Sequence, residues 1–162
     1  MFLVGIITDE NSKKYLEKIF NSNLFFKDIE FINITEKNVD NMRNIKFDTI
    51  VINKNVDWID ILKKDYKYLL LNSDIGLDNL RNKNSCIITF GFNSKSTITI
   101  SSNTDDNCQI CLQRNICIEK ENIEQQEIII KKTRDIDIYN IMIIISICLI
   151  YDKKAKISEI NF

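Results

Sequence analysis

The residues best placed to do chemistry stand where an apolar run gives way to a polar one, in GIITDENSKKYL, Gly5 to Leu16. A strand that passes through a loop into a helix is where phosphate-binding folds aim backbone N–H groups and a helix N-terminus at an anion. Lys13 would supply a counter-charge there, but Asp9 and Glu10 oppose it. A carboxylate about 4 Å from a phosphate oxygen costs on the order of 4 kcal/mol at an effective dielectric near 20. After Gly5 the segment has no glycine, so it lacks the φ > 0 freedom that lets successive amides converge on a polyanion. The plain reading is a solvated loop between a strand and a helix.

Two other groupings invite a functional reading. Asp9 and Glu10 could meet Asp74 at the carboxyl ends of neighbouring strands, where doubly wound folds bind ligands, and there they could hold a cation. Solvated loop acids are the simpler account. Cys108 and Cys111 form a CxxC with Cys117 close behind. A structural zinc site wants four ligands, the chain has no histidine, and a CxxC inside a strand sends its thiols to opposite faces. These cysteines read as packing residues, and no metal site is expected.

The elements that would carry these residues follow from periodicity. Leu3 to Thr8 is a continuous apolar run; after polar Asp9 to Ser12, Tyr15, Leu16, Ile19 and Phe20 recur at helical spacing. The alternation continues with a strand at Ile29 to Ile34, a helix around Asn38 to Arg43 and a strand at Phe47 to Ile52. A helix near Val56 to Lys63, a strand at Tyr68 to Asn72 and a short helix near Leu77 to Arg81 complete it. Continuous apolar strands of this kind fit parallel pairing. After Ser85 the rhythm changes: Cys86 to Phe92 and Thr97 to Ser101 flank a turn rich in Asn and Ser, which predicts an antiparallel hairpin. Gln109 to Ile116 and Glu127 to Lys131 read as further strands, and Asp135 to Tyr151 as a long buried helix.

Composition bounds the rest. A chain of 162 residues, 44% hydrophobic, suits one core and hence a single domain over 1–162. The net charge of -1, from 22 basic and 23 acidic residues spread along the chain, gives no electrostatic footprint for nucleic acid or an anionic membrane, and neither is expected as a partner. Ile141 to Tyr151 is almost wholly apolar, yet falls short of the roughly 20 residues that span hydrocarbon. The start, MFLVGIITDENSKK, lacks the basic region of a secretory signal, and five cysteines, an odd count, suggest reduced thiols. A cytoplasmic location is expected.

Four segments, in order, resemble the central ATP-binding domain of the Mur ligases, the ATP-dependent amide-forming ligases of peptidoglycan synthesis. IITDENSKK is similar to their ITGTNGK[TS]T loop, with Ile7, Thr8, Asn11 and Lys13 in register. KYLLLNSDIGLDNL resembles a VLNADDP strand end, with Asn72 and Asp74 kept. IITFGFNSKSTITISS resembles the strand-turn-strand after it, and DIYNIMIIISICLIYDKKAKISEI resembles HNVYNALAAIAVALELGIDLEEI, with Tyr139 and Asn140 in place. The resemblance implies a three-layer α/β/α fold with a mostly parallel, doubly wound sheet of Rossmann-like or P-loop-like type, extended by antiparallel strands. It also implies that any remaining nucleotide site would use Asn11, Lys13, Asn72, Asp74 and Asn140, the last as an adenine contact.

Against that pattern, Asp9 and Ser12 replace glycines, Glu10 replaces a threonine, and Lys14 replaces the hydroxyl residue that would hold Mg²⁺. The segment FDTIVINKNVDWIDILKKDYKYLLLNSD abbreviates the family's Mg²⁺-ligand, TNxxxDHLD and carbamylated-lysine region. The flanking substrate and closing domains have no counterpart, so acyl phosphate and amine could not be brought together. The expectation is a degenerate stand-alone relative with no catalytic residue and no cofactor, acting as a binding or scaffold module for an unidentified protein partner or through self-association. The alternative is residual ATP or ADP binding, or ligase-like activity completed by a partner chain.

Overall fold

The computed structural model describes residues 1–42, 44–57, 66–76, 85–119, 121–133, 136–160 and 162. The chain is an α/β protein built on a large, mostly parallel sheet. Its strands are β1 (Phe2–Ile7), β2 (Ile29–Asn33), β3 (Thr49–Ile52), β4 (Tyr68–Asn72), β5 (Cys86–Phe90), β6 (Ile98–Asn103), β7 (Asn107–Leu112), β8 (Ile116–Ile118), β9 (Glu121–Ile123) and β10 (Gln126–Lys131). Eight of them form one sheet in the order β10-β7-β6-β5-β4-β3-β1-β2, while β8 and β9 make a separate two-stranded ribbon. Strands β2, β1, β3, β4 and β5 run parallel, and β6, β7 and β10 pair antiparallel in succession.

The central strands are mostly apolar because both of their faces are largely covered. Val4, Ile6, Val51, Tyr68, Leu70, Ile88 and Phe90 enter one hydrophobic cluster, while Ile7, Ile50, Ile52, Leu69 and Leu71 enter a second. Their alternation is the period of two that a pleated strand imposes. Gly5, between Val4 and Ile6, admits a close neighbour: a Cβ there would lie 2.6 Å from Ile34 Cδ1 and 2.9 Å from Ile50 Cδ1.

Helices α1 (Glu10–Ser22) and α2 (Ile138–Ile150) both contribute to the first cluster. Helix α1 is amphipathic and buries Leu16, Ile19 and Phe20; the Phe20 ring stacks on Phe31 at 3.6 Å and meets Phe26 edge-on at 5.1 Å. In α2 every residue except Tyr139 is buried, which is why its sequence is apolar all round. Asp137 caps α2 by accepting from Tyr139 N, and the Tyr151 hydroxyl just beyond it lies 2.6 Å from Thr49 Oγ1 at the start of β3. No helix among the described residues is long and apolar enough to cross a membrane.

Four expectations need correction. The single strand expected over Gln109 to Ile116 is split, since β7 ends at Leu112 and β8 starts at Ile116 in the separate ribbon. The hairpin of Cys86–Phe92 with Thr97–Ser101 does not form: β5 meets β6 through a single parallel bridge, Phe90 to Ile98. Side chains occupy the intervening amides, with Thr97 N bonded to Thr89 Oγ1 at 2.9 Å and Lys95 N to Asn93 Oδ1 at 2.9 Å. The chain therefore steps sideways, and the first antiparallel pair is β6 with β7. The helix around Asn38 to Arg43 is, through Met42, a run of turns. Asn38 accepts from Thr35 N and donates to Asn33 O, an alternative to helical bonding that asparagine often takes. Glu10 to Ser12 lie in the first turn of α1 rather than in a loop, because Asp9 caps the helix. Arg43 and the expected helices near Val56 to Lys63 and Leu77 to Arg81 lie outside the described residues, apart from Val56 and Asp57.

Candidate functional site

The carboxyl ends of β1, β3, β4 and β5 lie side by side, and polar residues tie them together. Asn53 Nδ2 donates to Thr8 Oγ1 at 3.2 Å, and Asn72 Nδ2 donates to Asn53 Oδ1 at 2.9 Å. Asn72 Oδ1 in turn accepts from Asp74 N at 2.9 Å, capping a short 3-10 turn at Ser73–Ile75. The Asp74 carboxylate accepts from Phe92 N at 2.7 Å, Asn93 N at 3.2 Å and the Tyr139 hydroxyl at 3.0 Å. One hydrogen-bonded chain thus runs from the end of β1 to the N-terminus of α2.

Gly91 makes that arrangement possible. Its φ is +152°, and a Cβ there would lie 2.6 Å from Asp74 Oδ2 and 2.7 Å from Ser73 Oγ. Burial, followed by the bond to Asp74, pushes Tyr139 up to about 12, so its hydroxyl keeps the proton it donates throughout the neutral range.

At the turn after β1, only Thr8 and Asp9 separate strand from helix. Asp9 Oδ1 accepts from Asn11 N at 2.9 Å and Ser12 N at 3.0 Å. The carboxylate occupies the amides that a bound phosphate would use at this helix end. Partial burial works against its ionisation, but the hydrogen bonds from Ser12 and Asn11 outweigh that and hold it below the usual carboxylate range. Asp9→Ala is expected to cost about 1 kcal/mol near neutral pH. Because the folded-state pKa is depressed from 3.8, the capping stability is complete above that value and disappears as pH falls through the folded pKa. Urea unfolding of both proteins at pH 6 and at pH 2.5 should show the difference shrinking on acidification.

The remaining candidates are placed separately. Lys13 lies in α1, ion-paired with Glu10 at 3.6 Å, and lines a cavity of about 20 Å³ with Glu17, Phe31 and Asn33. That is room for a water, against roughly 300 Å³ or more for a small-ligand pocket. Asn11 contributes its backbone N–H to the Asp9 cap. Asn140 is 3% exposed, and its Oδ1 is buried with no hydrogen-bond partner. It lies in the first turn of α2 beside Tyr139, whose hydroxyl bonds Asp74 just past the carboxyl end of β4.

The three acids do not act as one group: Asp9 caps α1, Glu10 pairs with Lys13, and Asp74 holds the loop after β5. Among the described residues no cluster of three or more His, Cys, Asp or Glu could hold a metal ion. Cys108 is buried and Cys111 half-buried, and burial raises the pKa of both thiols. A wider groove, about 850 Å³, opens at the opposite end of the strands, where Lys67 pairs with Glu119 beside Tyr68 and Tyr151. Gly91 and the Tyr139 bond escaped the sequence reading; a lone glycine closing an apolar strand was the available signal for the first.

No family model matches the chain, and no curated protein matches it.

Proposed function

We propose that this chain is a non-catalytic α/β domain acting as a binding or scaffold module, a relative of the Mur ligase central domain with a degenerate P-loop. The proposal includes a three-layer, doubly wound, Rossmann-like architecture. In its support, the order β2-β1-β3-β4-β5 is that of one common doubly wound class, whose ligand crevice opens between β1 and β3. A cytoplasmic setting is also part of the proposal, and the five free cysteines are compatible with it.

The observation that carries the reading is the Asp9 cap. In the crevice position the α1 amides are already bonded to a carboxylate, and an entering phosphate would have to displace it while facing its charge. Purified protein is expected to hydrolyse no ATP and to form no amide bond between amino acids or peptides. Turnover by the wild type that disappears in Lys13→Ala would overturn the reading.

One observation favours a second reading, residual binding of ATP or ADP without catalysis. Asn140 Oδ1 is buried without a donor, and such a group costs about 1–3 kcal/mol unless a ligand satisfies it. Thermal-shift titration with ATP, ADP and UDP-linked sugars, with and without Mg²⁺, separates the two. A ligand at about 100 times its Kd adds about 2.7 kcal/mol, and no shift with any of them removes this alternative.

A further inference from the structure

Strand β10 ends the eight-stranded sheet, so among the described residues one of its sides carries no neighbouring strand. Its pairing fixes which residues turn outward. Lys132 N donates to Asp106 O at 2.9 Å, in the same register as the ladder joining Gln126 to Leu112 and Lys131 to Asn107. In an antiparallel ladder hydrogen-bonded and non-hydrogen-bonded pairs alternate. The even-numbered residues of β10 therefore bond to β7, and Glu127, Ile129 and Lys131 aim their N–H and C=O groups at the open edge. Their side chains share one face, and all three are exposed, Ile129 at 71%.

The geometry points to an antiparallel β10–β10 contact with a second copy of this chain, centred on Ile129. A two-fold axis there sets Ile129 opposite Ile129 of the other copy, and Glu127 opposite Lys131 on both sides of it. The register is selective. Shifting by two residues either way keeps the outward groups aligned but removes both Glu–Lys pairings and separates the isoleucines. In the centred register each facing pair of outward residues exchanges two backbone hydrogen bonds, the exposed isoleucines cover each other, and opposite charges meet directly across the strands. Charges on an edge strand normally discourage pairing; here they select one register, with the Glu127 carboxylate held on its face by a hydrogen bond from Gln109 Nε2 of the same chain. On the opposite face Ile128 falls across from Ile130, continuing the apolar rows of the first cluster. Just past the strand, Thr133 N is bonded to Phe162 O at 3.1 Å, which confines the contact to the segment from Glu127 to Lys131.

The contact names a partner for the scaffold reading and to that extent rests on it. That reading falls on nucleotide turnover, whereas this one falls on association, so either can fail alone. Sedimentation velocity over a wide range of concentration should show the chain passing from monomer to dimer. Glu127→Lys and Lys131→Glu are each expected to weaken dimerisation about tenfold or more, because both symmetry-related pairs become repulsive. The double variant Glu127→Lys/Lys131→Glu should recover it, as should an equimolar mixture of the two single variants, an outcome that misfolding could not produce. A strict monomer at the highest concentration, or a dimer indifferent to both single reversals, would overturn the inference.

Discussion

Phe90→Ala is expected to lower the unfolding free energy by about 3–5 kcal/mol, the range found when a fully buried aromatic ring is truncated. Phe90 is 0% exposed and lies at the junction of the two halves of the sheet. It pairs with Asn72 on β4, forms the only bridge from β5 to β6 through Ile98, and its carbonyl accepts from Ser73 Oγ. Removing the ring empties the cluster beneath α2 at the point where the parallel strands hand over to the antiparallel ones. Against a typical total of about 5–15 kcal/mol, such a loss leaves a large unfolded population on modest warming. Guanidinium melts would measure it. Phe92→Ala is the control: that ring is 52% exposed and touches Tyr139 edge-on at 5.1 Å, so its loss should cost at most about 1 kcal/mol.

Gly91→Val should be nearly as damaging, at about 3 kcal/mol, for two separate reasons. The backbone stands at φ +152°, which a β-branched residue tolerates poorly, and the new Cβ would meet the Asp74 carboxylate and the Ser73 hydroxyl at 2.6 and 2.7 Å. Retreat of Asp74 would release the bonds from Phe92 N, Asn93 N and Tyr139 together. A double-mutant cycle with Asp74→Ala isolates the second cause. The pair should cost clearly less than the sum of the single changes, because the alanine no longer occupies the space the valine needs. Strict additivity would mean that the backbone alone carries the effect.

The sequence made the parallel core legible because its strands carry the signal themselves. Tyr68 to Asn72 was bounded as observed, and β1, β2 and β3 were found within a residue or two, since continuous Ile, Val and Leu runs suit strands covered on both faces. The buried helix expected over Asp135 to Tyr151 is α2, shorter at its start because Asp137 caps it. Three of the failures share one cause, side chains bonding to nearby amides. Asn and Ser around Asn93 spell a hairpin locally, yet Asp74, Thr89 and Asn93 bind the loop amides from within and the strand moves sideways instead. Asn38 competes with the helix expected around it, and Asp9 extends α1 back to Glu10.

At the candidate site the Mur ligase resemblance picked out Asn72 and Asp74, and these two are joined by a hydrogen bond. It could not foresee that Asp74 would hold the loop after β5, since that depends on Gly91, Phe92 and Tyr139 being brought close by the fold. Lys13 and Asn140 were chosen by resemblance, and neither belongs to that hydrogen-bonded chain. Lys13 is turned toward Glu10 and the β2 side, and Asn140 is packed within α2.

The central claim is that the α1 N-terminus carries its own anion. Amide NMR of the uniformly ¹⁵N-labelled chain, titrated with MgATP, reads that claim at the atoms concerned. The account predicts that the Asn11 and Ser12 resonances stay in place up to millimolar nucleotide. Saturable displacement of those two signals, lost in Lys13→Ala, would contradict it.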